Sequence, residues 1–353
     1  MIIECTLIRG GDRKVAAFPQ SMPFRVRLQL VGLLPTDTWR KKLINRLLLR
    51  LPLFLLPPPF RQRTSAVNLF EVWHELNSLD QQMETSLIAS STWLMQWPSL
   101  EYRKRIYLYS YDENKRSSLF AKFTFGSPDN ERLRNERKAL EFLSMQPPAA
   151  FSLPSVMSAT GNDTSELLVF KAFEPGSKPN RSARPDLPDS WIDSYRGAAK
   201  AATVRDIQQL DWWLEFSHAP GSLAELRRFI ECCREQSARL GTIHGDLGSG
   251  NIRELRDGSL CIFDWENFTD NGPFETDRLH YWIARHHRHC LRNPEEALSE
   301  LTEFTSQQGI NELDLALSLA FLISKDSLAA LRLGECWGQS DAGFPGPSSQ
   351  INP

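Results

Sequence analysis

Polar and apolar positions change their rhythm along the chain. Trp39 to Leu51 has helical spacing with Arg and Lys on one side, and Pro52 and Pro57–Pro59 end it. Residues 66–82 repeat as a short amphipathic helix through Val67, Leu69, Phe70, Trp73 and Leu76. Ile106-Tyr-Leu-Tyr then alternates as a strand, Asp112-Glu-Asn-Lys supplies a turn, and Leu119 to Phe125 alternates again, which predicts a hairpin. A helix is expected from Pro128-Asp129 to Met145, with Leu133, Ala139, Leu140 and Leu143 at helical spacing and Pro147-Pro148 beyond it. Leu167-Leu-Val-Phe reads as a strand running into the punctuated Phe173-Glu-Pro-Gly-Ser.

Residues 177–190, rich in Pro, Ser and Arg, read as a loop, and helical patterns dominate after them. These cover about 196–218, 222–240, 276–290, 294–308 and 311–334. Short strands at Ile252–Glu254 and Leu260–Phe263, joined by Arg256-Asp-Gly-Ser, interrupt them. The tail 338–353 is rich in Gly, Pro and Ser and is expected to be disordered. No internal repeat is visible. The plan is a basic extension over 1–85, a β-rich lobe over 86–173 and a helical lobe over 174–337.

Charge changes this picture in one place. The 353 residues carry 41 Lys and Arg against 43 Asp and Glu, a formal charge of −2, which excludes a generic polyanion binder. Residues 1–65, however, hold twelve basic and three acidic side chains, a local balance of +9. The stretch 21–63 is therefore read as a structural extension or a contact for an anionic membrane surface. Nucleic acid is not expected there, because aromatic residues suited to base stacking are sparse. The apolar window Leu43–Phe60 is interrupted by Arg46, Arg50 and four prolines, far short of the roughly 20 apolar residues a bilayer requires. The N-terminus lacks a secretory pattern, and six scattered cysteines form no C-x-x-C pair. A cytoplasmic protein is expected, with possible placement at the inner membrane face.

The most informative chemistry lies in Thr242-Ile-His-Gly-Asp-Leu-Gly-Ser-Gly-Asn-Ile and in Leu260-Cys-Ile-Phe-Asp-Trp-Glu. The first places His244, Asp246 and Asn251 in a His-x-Asp-x₄-Asn pattern; the second puts Asp264 at the end of an apolar strand. Phosphoryl transfer needs one carboxylate to orient and deprotonate a hydroxyl. It also needs an amide oxygen and a second carboxylate to hold Mg²⁺ on the nucleotide phosphates. Asp246, Asn251 and Asp264 are of those types.

These motifs resemble the aminoglycoside phosphotransferase and choline kinase group, the small-molecule branch of the protein-kinase-like fold, over roughly residues 100–290. The resemblance implies an α+β, two-lobed fold and transfer of the γ-phosphate of ATP, with Mg²⁺, to a hydroxyl of a small molecule. It implies Asp246 as base, Asn251 and Asp264 as metal ligands with Glu266 assisting, His244 as a stabiliser of the loop, and Asp277 as a structural residue. It further implies a strand lysine held by a helix carboxylate. Lys122 fits the first, and Glu136 fits the second ahead of Glu131 and Glu141. Phe170-Lys-Ala-Phe173 resembles the segment whose backbone meets adenine.

Departures are equally plain. No glycine occurs between Gly32 and Gly126, so no Gly-x-Gly-x-x-Gly covers the phosphates; either Ser86–Pro98 forms a bulkier loop in its place or nucleotide affinity is weak. Trp265 and Glu266 follow Asp264 where a regulated protein kinase has Phe and Gly. A nucleotide-binding scaffold and a peripheral membrane kinase acting on a lipid or glycan head group remain as other readings. The cluster His286, His287, His289 and Cys290 reads as a solvated basic helix end, and Trp212-Trp213 as core.

Overall fold

The structure is a computed structural model. It describes residues 4–10, 13–33, 61–65, 73–83, 87–88, 92–98, 103–112, 117–173, 178–179 and 189–338. The expected helix Trp39–Leu51 and the tail 339–353 lie outside the described residues, as does most of the loop 177–190. The architecture is α+β, and the chain forms two compact units. One comprises Met1–Phe142, Ser152–Pro179 and Arg253–Phe263; the other comprises Leu143–Phe151, Asn180–Ile252 and Asp264–Pro353.

The first unit is built on an eight-stranded antiparallel sheet. Its strands are β1 (Glu4–Gly10), β2 (Arg13–Pro19), β3 (Arg61–Ser65), β4 (Trp93–Gln96), β5 (Arg105–Asp112), β6 (Ser117–Thr124), β7 (Val156–Gly161) and β8 (Glu166–Lys171). They are ordered β3-β1-β2-β4-β5-β6-β8-β7. The predicted hairpin is β5–β6, paired from Arg105↔Thr124 to Asp112↔Ser117. Strand periodicity explains its two faces: Ile106, Leu108, Leu119, Ala121 and Phe123 enter one buried cluster, and Tyr109 enters another.

The described residues before 85 belong to this sheet and its faces. β1, β2 and β3 pair within it, and α1 (Phe24–Leu33) and α2 (Trp73–Gln81) supply buried side chains to its two faces. β-Pairing is non-local, and charge balance carries no trace of it. Nor is Ser86–Pro98 a loop throughout, because β4 pairs with β5 from Trp93↔Ser110 to Gln96↔Tyr107. α3 (Asp129–Met145) matches the predicted helix. Its first turn is anchored by Asp129, which accepts from the Lys104 N–H (2.7 Å) and from the Arg103 and Arg105 guanidinia. Burial would raise the Asp129 carboxyl, but Arg105 and these donors outweigh it and hold it below the usual range.

The hairpin Ile252–Glu254/Leu260–Ile262 also belongs mainly to this unit, although its sequence neighbours are helical. It pairs with Lys178–Pro179 and bridges Ser152 at Cys261.

The second unit centres on the helix Glu312–Ser324, where every residue from Leu313 to Ile323 is buried. A helix apolar on all sides must sit inside its unit. Trp212 packs on its Phe321 at 5.6 Å and donates to the Asn271 carbonyl. Trp212 and Trp213 are accordingly core residues. Four predicted helices are divided. Residues 276–290 break at His286 into Thr276–Arg285 and His287–Arg292, and 311–334 break into Glu312–Ser324 and Leu328–Glu335. Strands shorten the other two. Residues 222–240 divide into the helix Ala224–Cys232 and the strand Ser237–Ile243, which pairs with Lys200–Thr203 and Thr269–Pro273. Residues 196–218 likewise begin with that Lys200–Thr203 strand, and a capping box at Thr203 starts the next helix. Among the described residues no helix is long and apolar enough to cross a membrane.

Candidate active site

In the first unit, α3 carries Leu133, Glu136 and Leu140 on one buried stripe, so Glu136 enters the interior with apolar neighbours. Its Oε2 lies 2.7 Å from Nζ of Lys122, and both residues are at most 5% exposed. Glu131 instead accepts from the Ser127 hydroxyl, and Glu141 is exposed. The helix partner of the strand lysine is therefore Glu136.

Phe170 is buried on β8 and stacks against Phe120 at 5.9 Å. Phe173 follows the strand and meets Phe263 edge-to-face at 5.6 Å, while the Arg253 guanidinium lies 4.7 Å from its centroid. Burial pushes the Arg253 guanidinium below its ordinary value. A cavity of about 450 Å³ opens beside Phe173, floored by Leu153, Leu255 and Cys261.

In the second unit the strand Ser237–Ile243 delivers the loop His244-Gly-Asp246. Asp277, fully buried, clamps this loop: it accepts from the N–H groups of His244 (2.7 Å) and Gly245 (2.9 Å) and from the Tyr195 hydroxyl (2.6 Å). Gly245 is required, since φ is +78° and an added Cβ would come within 2.5 Å of the Asn267 carbonyl oxygen. Asp277→Asn replaces one accepting oxygen with a donor facing buried donors. We expect it to cost roughly 1–3 kcal/mol for each donor orphaned, measured by urea denaturation, and an unmoved midpoint would refute the clamp.

His244 is buried, its ring 4.4 Å from that of Trp265, and its Nδ1 accepts from the Asp246 N–H at 3.2 Å. Asn251 sits in the turn Ser249–Asn251 and donates through Nδ2 to the Asp246 carbonyl (2.8 Å) and carboxylate (3.1 Å). That leaves its amide oxygen as the atom a cation would use. Asp264 adopts φ of +70°, a conformation uncommon outside glycine that tends to occur at functional positions. A carboxylate oxygen of Asp264 and one of Glu266 lie within 4.8 Å of one another.

Asp246 bears the consequence of this crowding. Burial, then repulsion by Asp264 and more weakly by Glu266, push its carboxyl from 3.8 to about 6; His244 and the Asn251 hydrogen bond pull the other way. The side chain nevertheless keeps 47% exposure, so a ligand can reach it.

The motif reading did not find His280. Its Nε2 lies 3.4 Å from Asp246 Oδ1, and burial lowers its pKa despite the Asp277 charge. The sequence signal was its place three residues after Asp277 on the helix Thr276–Arg285. The other histidines form no such group with Cys290, which is buried in the core. His286 stacks on Trp282 at 4.1 Å.

No protein-family model and no curated protein matches the chain. Structural likenesses exist. An aminoglycoside-3'-phosphotransferase of type VIII is 18% identical, with 65% of this chain and 91% of that chain covered at a TM-score of 0.38. The choline kinase LicA from Streptococcus pneumoniae is 14% identical over 76% of this chain and 94% of its own, at a TM-score of 0.45. A spectinomycin phosphotransferase in complex with ADP and spectinomycin is 11% identical over 66% and 79%, at 0.36. With these three TM-scores below one half, the functional reading rests on the residues of this chain.

Proposed function

We propose that the protein is an ATP-dependent phosphotransferase acting on a hydroxyl of a small molecule, such as an amino sugar, an amino alcohol or a sugar. The observation that carries this is the Asp246 group: a half-exposed carboxylate held by Asn251 and faced by His280, beside the Asp264 and Glu266 carboxylates. The buried Lys122–Glu136 pair and the resemblance of both motifs to the small-molecule kinases support it.

In this reading Asp246 orients the acceptor hydroxyl and takes its proton as the oxygen attacks the γ-phosphorus, with the ADP oxygen leaving. The donor set suits Mg²⁺, since Asp264, Glu266 and the Asn251 amide oxygen are hard ligands and the carboxylates repel one another in its absence. Bound there, the ion would neutralise charge on the phosphates. Lys122, oriented by Glu136, would meet the α- and β-phosphates, and the Phe170–Phe173 segment would meet the base.

This reading makes two expectations. ADP release should depend on one member of a panel of amino sugars, amino alcohols, choline-like amines and sugars; release with none counts against it. In the metal-free protein the Asp246 carboxyl should titrate near 6 by ¹³C NMR. Mg²⁺ with ATP should move that midpoint down, because a dication cancels the repulsion that raised it. An unmoved midpoint would remove Asp264 and Glu266 as ligands.

A nucleotide-binding scaffold is the second reading, favoured by the lack of any glycine between Gly32 and Gly126. Nucleotide binding that ignores Mg²⁺, without transfer, would support it. A lipid or glycan head group as acceptor, with contact to an anionic membrane through residues 21–63, belongs to the same acceptor screen presented on vesicles.

A further inference from the structure

The sheet of the first unit presents Lys122 on an aromatic face. Alternation along β6 places Phe120 on the side of Lys122. The register pairs Tyr107 with Lys122, Tyr109 with Phe120 and Phe170 with Phe120. Residues directly opposite one another share a face, and the rings confirm it. Phe120 lies 5.1 Å from Tyr109 and 5.9 Å from both Tyr107 and Phe170. A flat, apolar surface beside a buried lysine is what a nucleobase and its phosphates require.

Much of that surface is already covered. α1 buries Val26, Leu30 and Val31 in one cluster with Leu94 and Tyr109, and Tyr107, Tyr111 and Phe120 pack against the same cluster. Tyr109 keeps 5% exposure and Leu30 none. Arg27 is drawn in as well, its guanidinium 5.1 Å from the Phe18 ring and 4.9 Å from that of Phe24. The other face of the sheet has its own cover, through α2 and the cluster of Leu76, Leu79, Trp93 and Leu108.

α1 is also poorly equipped to stand alone. It is ten residues long, with no acidic residue in its first turn and no basic residue in its last, and Gly32 falls within it. Such a helix is marginal in water and owes its form to docking. Its outer side leaves Phe24 and Leu28 exposed.

We infer that α1 is a lid built into the chain, docked on the aromatic face next to Lys122, so that a nucleotide must displace it to bind. The inference rests on the phosphotransferase reading, which places the nucleotide on that face. The apparent affinity is then the intrinsic affinity scaled by the fraction of molecules with α1 undocked.

The test uses the full chain carrying Val26→Glu and Leu30→Glu, which cannot rebury the helix, with trinitrophenyl-ATP as probe and ATP as competitor. The expected result is an apparent Kd at least about tenfold lower than in the unaltered protein. The gain should vanish when Lys122→Met is added. Hydrogen exchange on the unaltered protein provides the second measurement: α1 amides should exchange faster when ATP is bound, even if the double variant fails to fold. A folded variant with unchanged affinity, or α1 amides equally or better protected with ATP, overturns the lid while leaving the phosphotransferase reading intact. No binding of ATP to either protein overturns both.

Discussion

Asp246→Asn is expected to lower phosphoryl transfer by about 10²–10⁴-fold, the usual contribution of a positioned general base, with nucleotide affinity changed less than roughly threefold. The amide keeps the size and one accepting oxygen, towards Asn251, but cannot accept the acceptor's proton. The same substitution should stabilise the metal-free protein near neutral pH. Burial and the neighbouring carboxylates push the Asp246 carboxyl from 3.8 up to about 6, so the folded chain should bind the extra proton between those values. Stability therefore falls as pH rises through that window, and the loss is complete above it. Asn carries no such dependence. A higher Tm at pH 7.5 that converges with the unaltered protein below pH 4, together with lost turnover, is the expected signature. Full turnover would refute the role of Asp246.

Lys122→Met should have the largest effect on stability. It leaves the Glu136 carboxylate buried with its 2.7 Å partner removed, and breaking a buried pair from one side costs about 3–5 kcal/mol. Lys122→Met with Glu136→Leu should recover most of this, since an apolar pair of similar volume is often neutral. Nucleotide affinity should stay low in both variants, because the phosphates lose their cation whether or not the fold recovers. A double variant that regains stability and also binds ATP normally would make the pair purely structural. The cycle separates these outcomes, and urea denaturation with ATP titration supplies both readouts.

Much of the candidate site was legible because its spacing is local. His244, Asp246 and Asn251 occupy one loop, and the turn that holds Asn251 against Asp246 closes over five residues. Glu136 was preferred over Glu131 and Glu141 on the resemblance alone, and the structure pairs it with Lys122. His280 was not legible as a site residue, since its distance to Asp246 depends on how the helix Thr276–Arg285 docks against the loop. Asp277 looked structural, and its three accepted hydrogen bonds give that role a concrete form.

The N-terminal residues show the opposite limit. Their +9 charge suggested an arm apart from the fold, yet β1, β2 and β3 complete the sheet and α1 covers the lysine face. Charge counts follow composition, whereas strand pairing follows registers between residues as distant as Ala17 and Met95.

By itself, then, the sequence determined the residue types for phosphoryl chemistry, the hairpin β5–β6 and the helix α3, all properties of short windows. Tertiary structure alone decided that His280 faces Asp246, that Asp264 and Glu266 crowd and raise it, and that α1 lies on the aromatic face beside Lys122. Each of those is a contact between distant segments, created by packing and invisible to periodicity.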